Sequence, residues 1–228
     1  MGSFFDRHQP KTVDDLVFAD SHVRDLVVDY VNGTRDRHVL LHGPKGSGKS
    51  EAARIMQEAM IGAGNIQDRH NARSMRKVDF EHILNAWNAQ MGVGGAARGC
   101  TVIDEVDQLS DALKDQLQAF ADNYRRLGTL ICTTNYPEKL SEPLRNRFKN
   151  VLVRTPSASD FVQRAGQIMQ AEGISLPGPV LADVMAKCDG SIRDYVDHLE
   201  DALIGARKVA ASAPSSQAVP APQSGATP

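Results

Sequence analysis

Residues 39–50 read V-L-L-H-G-P-K-G-S-G-K-S, an apolar run followed at once by glycines, a lysine and a serine. Val39, Leu40 and Leu41 are β-branched or apolar residues in a run too short for a helix, the signature of a buried strand. Gly43 to Ser50 satisfies G-x-x-x-x-G-K-[ST] in full. The glycines let the main chain wrap closely enough for its N–H groups to point at phosphate oxygens, and a helix opening near Lys49 adds its positive end. Gly43, Pro44, Lys45, Gly46, Ser47, Gly48, Lys49 and Ser50 are therefore the expected phosphate cradle. Lys49 would reach the β- and γ-phosphates of a nucleoside triphosphate such as ATP, and Ser50 would ligate Mg²⁺.

Outward from that loop, further strand-like runs occur at Thr101, Val102 and Ile103, at Thr129 to Thr134, and at Val151 to Val153. Separated by helical stretches, they predict a parallel sheet covered by helices. Ile55, Met56, Ala59 and Met60 predict one helical face, and Leu113, Leu117 and Phe120 another. Asp104 and Glu105 stand at the end of the second run. There an aspartate can orient a metal ion and a glutamate can polarise an attacking water. Asn135 ends the third run, where its amide can contact both the γ-phosphate and that water.

From residue 157 the periodicity is purely helical. Phe161, Ala165, Ile168 and Met169 form a stripe that stops at Gly173, an expected C′ residue. Leu181, Val184 and Met185 suggest a second helix. Ile192, Tyr195, Val196, Leu199 and Leu203 form a third, opened by Ser191 with Asp194 three residues on. The expected division is an α/β nucleotide-binding core over 1–155, a small all-helical lid over 156–208 and a tail over 209–228. The tail carries no charge and is dominated by Ala, Ser and Pro, so disorder is expected there.

The chain has 228 residues, 41% hydrophobic, with a formal charge of −2, so any nucleic-acid contact must come from a local basic surface. Arg69, His70, Arg73, Arg76 and Lys77 cluster ahead of a predicted helix starting near Asp79. They read equally as phosphate contacts and as a solvated stretch. Trp87 is expected in the core, and the glycine-rich segment 91–99 as a connection that is either mobile or merely long. The three cysteines form no C-x-x-C pair, which fits a reducing cytosol, and neither a membrane span nor a signal peptide is legible.

In this order and at these separations, GPKGSGKS, VIDEVD, TTN, LRNRF and GSIRD resemble the Walker A, Walker B, sensor 1, arginine-finger and sensor 2 motifs of AAA+ ATPases. The resemblance covers residues 6 to 206. It is nearest to sliding-clamp loader subunits, particularly those of T4-like phages, through QPKTVDDLV, VDFEHILNAW, DEVDQLSDALKDQLQAF and TTNYPEKLSEPLRNRF. It implies a P-loop AAA+ core with a helical lid and ATP hydrolysis with Mg²⁺ held by Ser50 and Asp104. It further implies Glu105 on the water, Asn135 as sensor 1, Arg193 as sensor 2 and Arg147 as a finger reaching a neighbouring subunit, with Arg145 as the rival finger. The implied setting is DNA replication in a bacterial or phage-infected cell, as a homo- or hetero-oligomer working with a sliding clamp and DNA. The alternative is an ATP-dependent adaptor recruiting a helicase, nuclease or transposase to DNA. Three departures stand out. His8 and Gln9 replace the family's aromatic and arginine before Pro10, near which, with Val17 and Phe18, adenine is expected. No strand is legible in GNIQDRHNARSMRK. A helical collar is not read after the lid, so collar-driven pentamer assembly is not expected.

Overall fold

The computed structural model describes residues 2–62, 64–188 and 190–212. Helix α1 (Phe4–Arg7) and α2 (Ser21–Val31) precede strand β1 (Val39–His42), and the glycine loop leads into α3 (Lys49–Ile61). Then follow β2 (Asp68–Asn71), α4 (Asp79–Gly92), β3 (Gly99–Asp104), α5 (Asp111–Asn123), β4 (Gly128–Thr134), the short α6 (Glu142–Arg145) and β5 (Lys149–Leu152). Helices α7 (Ala158–Ala171), α8 (Gly178–Met185) and α9 (Ile192–Ser212) complete the chain.

The five strands form one parallel sheet in the order β2-β3-β4-β1-β5. Period-two alternation sorts its side chains between two helical layers. Leu40, Ile103, Leu130 and Cys132 pack with Phe80, Ile83 and Trp87 of α4 and Leu117 and Phe120 of α5. Val39, Leu41, Val102, Ile131 and Val151 pack on the other side with Val23, Leu26 and Val27 of α2 and Ala52, Ala53 and Met56 of α3. Of the face expected on α3, Ala59 is exposed, and buried Ala52, Ala53 and Gln57 take its place.

Trp87 is buried, its indole N–H donating to Thr101 Oγ1 at 2.8 Å. It lies flat against the starts of two strands. A Cβ at Gly128 would come within 2.5 Å of its ring, so glycine is required where the indole crosses the sheet.

The strand that could not be read in GNIQDRHNARSMRK exists as β2, with no apolar residue in it. It is the sheet's edge, pairing only with β3, so neither face needs an aliphatic side chain. Polar bonds hold it instead: Asp68 Oδ2 accepts from Thr101 Oγ1 at 2.5 Å, and Gln57 Nε2 donates to the Asp68 carbonyl at 2.6 Å.

The three C-terminal helices share a separate core. Phe161, Ala165, Ile168 and Met169 of α7 meet Leu181 and Met185 of α8 and Tyr195, Val196, Leu199 and Leu203 of α9, with Phe4 of α1 inserted. Ser157 begins α7 with a capping box, and Gly173 follows its end with φ +80°. Helix α9 runs to Ser212, four residues past the end expected for the lid at 208. The tail expected over 209–228 otherwise falls on 213–228, outside the described residues.

Candidate nucleotide site

Register brings the site together. Strands β3, β4 and β1 are neighbours, with Ile103 level with Cys132 and His42 level with Thr134. The residues that follow, Asp104 with Glu105, Asn135, and the loop from Gly43, therefore leave the sheet side by side at the carboxyl ends of its central strands, where open α/β sheets bind ligands.

A cleft of about 280 Å³ opens there, lined by Lys45, Gly46, Gly48, Lys49, Ser50 and Glu51 from the loop and α3, by Glu105, Thr133, Thr134 and Asn135 from the strand ends, and by Arg193 from α9. Ser50 Oγ donates to Asp104 Oδ1 at 3.0 Å, and the same oxygen accepts from Thr133 Oγ1 at 2.7 Å. Lys49 Nζ turns into the loop, donating to the carbonyls of Gly43 (3.0 Å) and Pro44 (2.7 Å) and to Ser47 Oγ (3.4 Å). Burial pushes the Lys49 ammonium below its ordinary pKa, against the opposing pull of Asp104 and Asp107. At the strand end, burial likewise lowers the pKa of His42, aided by the charges of Lys49 and Arg145.

Glu105 is the only non-glycine residue with positive φ among those described, at 59°. Such a conformation is uncommon and tends to sit at functional positions. Its N–H donates to Thr133 Oγ1 at 3.2 Å, and its Oε2 accepts from Arg73 Nε at 2.9 Å. Sequence reading missed both partners. Thr133 becomes visible only once β3 and β4 are in register, and Arg73 only once β2 is recognised, since Asn71 then pairs with Asp104.

The loop is joined to the C-terminal helices. Ile192 N–H donates to the Gly46 carbonyl at 3.0 Å, and a Cβ at Gly46 would stand 2.6 Å from Ser191 Cβ. Beside this junction lies a small apolar cavity of about 60 Å³, bounded by Pro10, Leu16, Val17, Phe161, Ile168 and Val196. Of the three residues near which adenine was expected, Pro10 and Val17 line this cavity, whereas Phe18 packs with the α2 and α3 side of the core. His8 and Gln9 also line this cavity, and His8 Nε2 lies 2.8 Å from Glu172 Oε1.

Arg147 and Arg145 do not line the cleft. Arg147 pairs with Asp122 on α5. Of the basic cluster after α3, Arg69 bonds Gln57 and Glu58, His70 bonds Asp68, and Arg73 bonds Glu105, while Arg76 and Lys77 are exposed.

A model of the family described as ATPase family associated with various cellular activities (AAA) matches residues 39–155, from the first residue of β1 to just past β5. The chain belongs to the AAA family. This AAA chain is 23% identical over 207 residues to the replication factor C small subunit of Thermofilum pendens, spanning 90% of the chain and 63% of that protein. It is 24% identical over 208 residues to replication factor C subunit 2 of Oryza sativa subsp. japonica, spanning 86% and 61%. The chain thus covers less than two thirds of the length of these relatives. Among solved structures, a point variant of Thermotoga maritima RuvB superposes with a TM-score of 0.71 at 19% identity, covering 90% of this chain and 68% of that one. A structure titled as the Thermotoga maritima RuvB Holliday junction branch migration motor superposes with 0.70 at 20% identity, covering 90% and 68%. At these identities the likeness is one of fold. No helix among the described residues is long and apolar enough to cross a membrane.

Proposed function

We propose that this AAA chain hydrolyses ATP as a clamp-loader-like subunit of an oligomer acting on DNA during replication, with each site completed by a neighbour. The observation that carries the reading is the separation of two groups. Lys49, Ser50, Asp104 and Glu105 converge at one cleft, while Arg147 is presented elsewhere. The name replication factor C on its relatives supports the DNA-replication setting, and a sliding clamp as partner rests on the resemblance of the motif segments. The finer likeness to subunits of T4-like phages rests on the motif segments, and the cytosolic setting on three cysteines that form no C-x-x-C pair.

The residues fit ATP with Mg²⁺. Ser50 Oγ and Asp104 Oδ1 already lie side by side as hard oxygen donors of the kind Mg²⁺ prefers. Among the described residues Lys49 Nζ is held only by groups of the loop itself, bonds it can exchange for β- and γ-phosphate oxygens. The apolar cavity by Pro10 and Val17 suits a purine face. Ser50 and Asp104 would hold Mg²⁺, which when bound would supply positive charge against the phosphates. In this reading Glu105 swings from Arg73 and accepts the proton of the attacking water, and Asn135 orients that water. Arg193 contacts phosphate from the lid, and the neighbour's Arg147 neutralises charge that grows in the transition state. The same proposal divides the chain into a core to residue 155 and a lid from 156, hinged where β5 gives way to α7.

The test mixes two inactive variants, Arg147→Ala and Glu105→Gln. Interfaces that join an intact Arg147 to an intact Glu105 should recover turnover. Mixtures shown to co-assemble yet staying inactive would overturn the shared site, and the same mixing with Arg145→Ala decides between the two arginines.

A further inference from the structure

Arg147 is held in a defined pose. Its Nε donates to both oxygens of Asp122, at 3.2 and 3.1 Å, its Nη2 donates to Asp122 Oδ2 at 3.0 Å, and its Nη1 donates to the Pro143 carbonyl at 2.6 Å. A guanidinium carries five N–H groups, one on Nε and two on each terminal nitrogen. These contacts use one on each nitrogen, leaving one N–H on Nη1 and one on Nη2 unspent. The backbone on either side is tied down as well: Arg37 Nη2 donates to the Asn146 carbonyl at 2.6 Å, and Lys149 N–H donates to the His38 carbonyl at 2.7 Å. Around the pair lies a cleft of about 440 Å³, where Arg37 and Arg125 join Arg147 against the single carboxylate of Asp122. The surplus is positive, which suits phosphate and not a cationic partner.

We propose that Asp122 is a positioning residue: it holds Arg147 side-on so that the remaining N–H of each terminal nitrogen is displayed to the triphosphate bound by an adjacent copy. The inference rests on Arg147 acting in trans as proposed above, and it adds a residue that no motif marks. A long side chain with many rotamers reaches a transition state more often when one edge is already fixed, and a side-on carboxylate fixes that edge while leaving the outer one available. An ion pair this exposed, with side chains 30% and 51% accessible, adds little to stability, so positioning and structural roles separate cleanly.

The experiment uses the full chain with Asp122→Asn, which keeps the size but removes the charge and one acceptor oxygen. Turnover at saturating ATP should fall roughly tenfold, short of the ~10²-fold that a full 1 Å misplacement can cost, because Arg147 keeps its bond to the Pro143 carbonyl. The KM for ATP should stay within about twofold and the melting temperature should not move. Asp122→Glu should recover part of the loss, and Asp122→Ala gives the same readout should the amide disturb folding. Mixed with Glu105→Gln, Asp122→Asn should regain turnover, because its own site then receives a correctly held Arg147; mixed with Arg147→Ala it should not. Turnover of Asp122→Asn near that of the unaltered chain, with Arg147→Ala inactive, overturns the positioning role alone. Arg147→Ala keeping full turnover overturns both this role and the shared site. A defect that persists in co-assembled mixtures with Glu105→Gln places the action of Asp122 within its own chain and refutes the inference.

Discussion

Replacing Arg73 with alanine removes the only side chain that ion-pairs with Glu105 among the described residues. The contact is a single bond of 2.9 Å between side chains 66% and 36% accessible. Water screens such a pair, so it holds the carboxylate aside by only about 0.2–1 kcal/mol. With RT near 0.6 kcal/mol, that bias corresponds to roughly a 1.4- to 5-fold lower population of free Glu105. The backbone of Glu105 is fixed separately by its bond to Thr133, so the substitution frees a side chain without moving the strand end. Arg73→Ala should therefore raise turnover in the absence of DNA by a few-fold and leave ATP affinity unchanged. Phosphate release at saturating ATP measures this, at about 0.1 M and about 1 M salt, where the screening length drops from ~10 Å to ~3 Å. Salt should lift the unaltered chain toward the variant and barely change the variant. A tenfold or greater loss in Arg73→Ala would refute the reasoning, because Arg73 would then belong to the catalytic machinery and not restrain it.

Two further outcomes are expected. Lys49→Ala removes a cation able to make two charge-assisted phosphate bonds at about 1.5–3 kcal/mol each, less the loop bonds it exchanges, so ATP affinity by calorimetry should weaken by roughly tenfold or more; a change under about threefold would remove the loop from the site. Glu172, bonded by His8, Arg7 and Arg207, has its carboxyl lowered from 4.5 to about 2. A folded-state pKa below the unfolded one contributes stability that is complete above pH 4.5 and drains away as pH falls toward 2. Glu172→Gln should thus melt lower than the unaltered chain at neutral pH, with the gap closing through that acid window; a gap independent of pH would show that these charges do not hold α1 to the lid.

What could be read in the sequence divides along a physical line. The glycine loop, Asp104, Glu105 and Asn135 were legible because each follows a buried strand whose apolar run announces it, and the C-terminal helices because each buries one stripe in a shared core. Strand β2 was not, since an edge strand bonded through Asp68 and Gln57 carries no apolar signal. With β2 hidden, Arg73 had no address, and its contact with Glu105 across 32 positions stayed invisible. The pairing of Arg147 with Asp122, 25 positions apart, joins a helix end to a loop and follows no periodicity. For β2 and Arg73 the missing information was which strand lies beside which.

The bond from Ile192 to the Gly46 carbonyl joins the glycine loop to the first residue of the longest helix among the described residues. Helix α9 has 21 residues, which at ~1.5 Å per residue makes a rod about 31 Å long with its near end tied to the glycine loop. A rotation of roughly 5° about that near end, small enough to spare the bond itself, sweeps the far end through about 3 Å. A phosphate held at Gly46 would therefore sit at the short end of a lever, and a small turn of the loop there would reach the far end of α9 as a displacement wide enough to change the surface it presents.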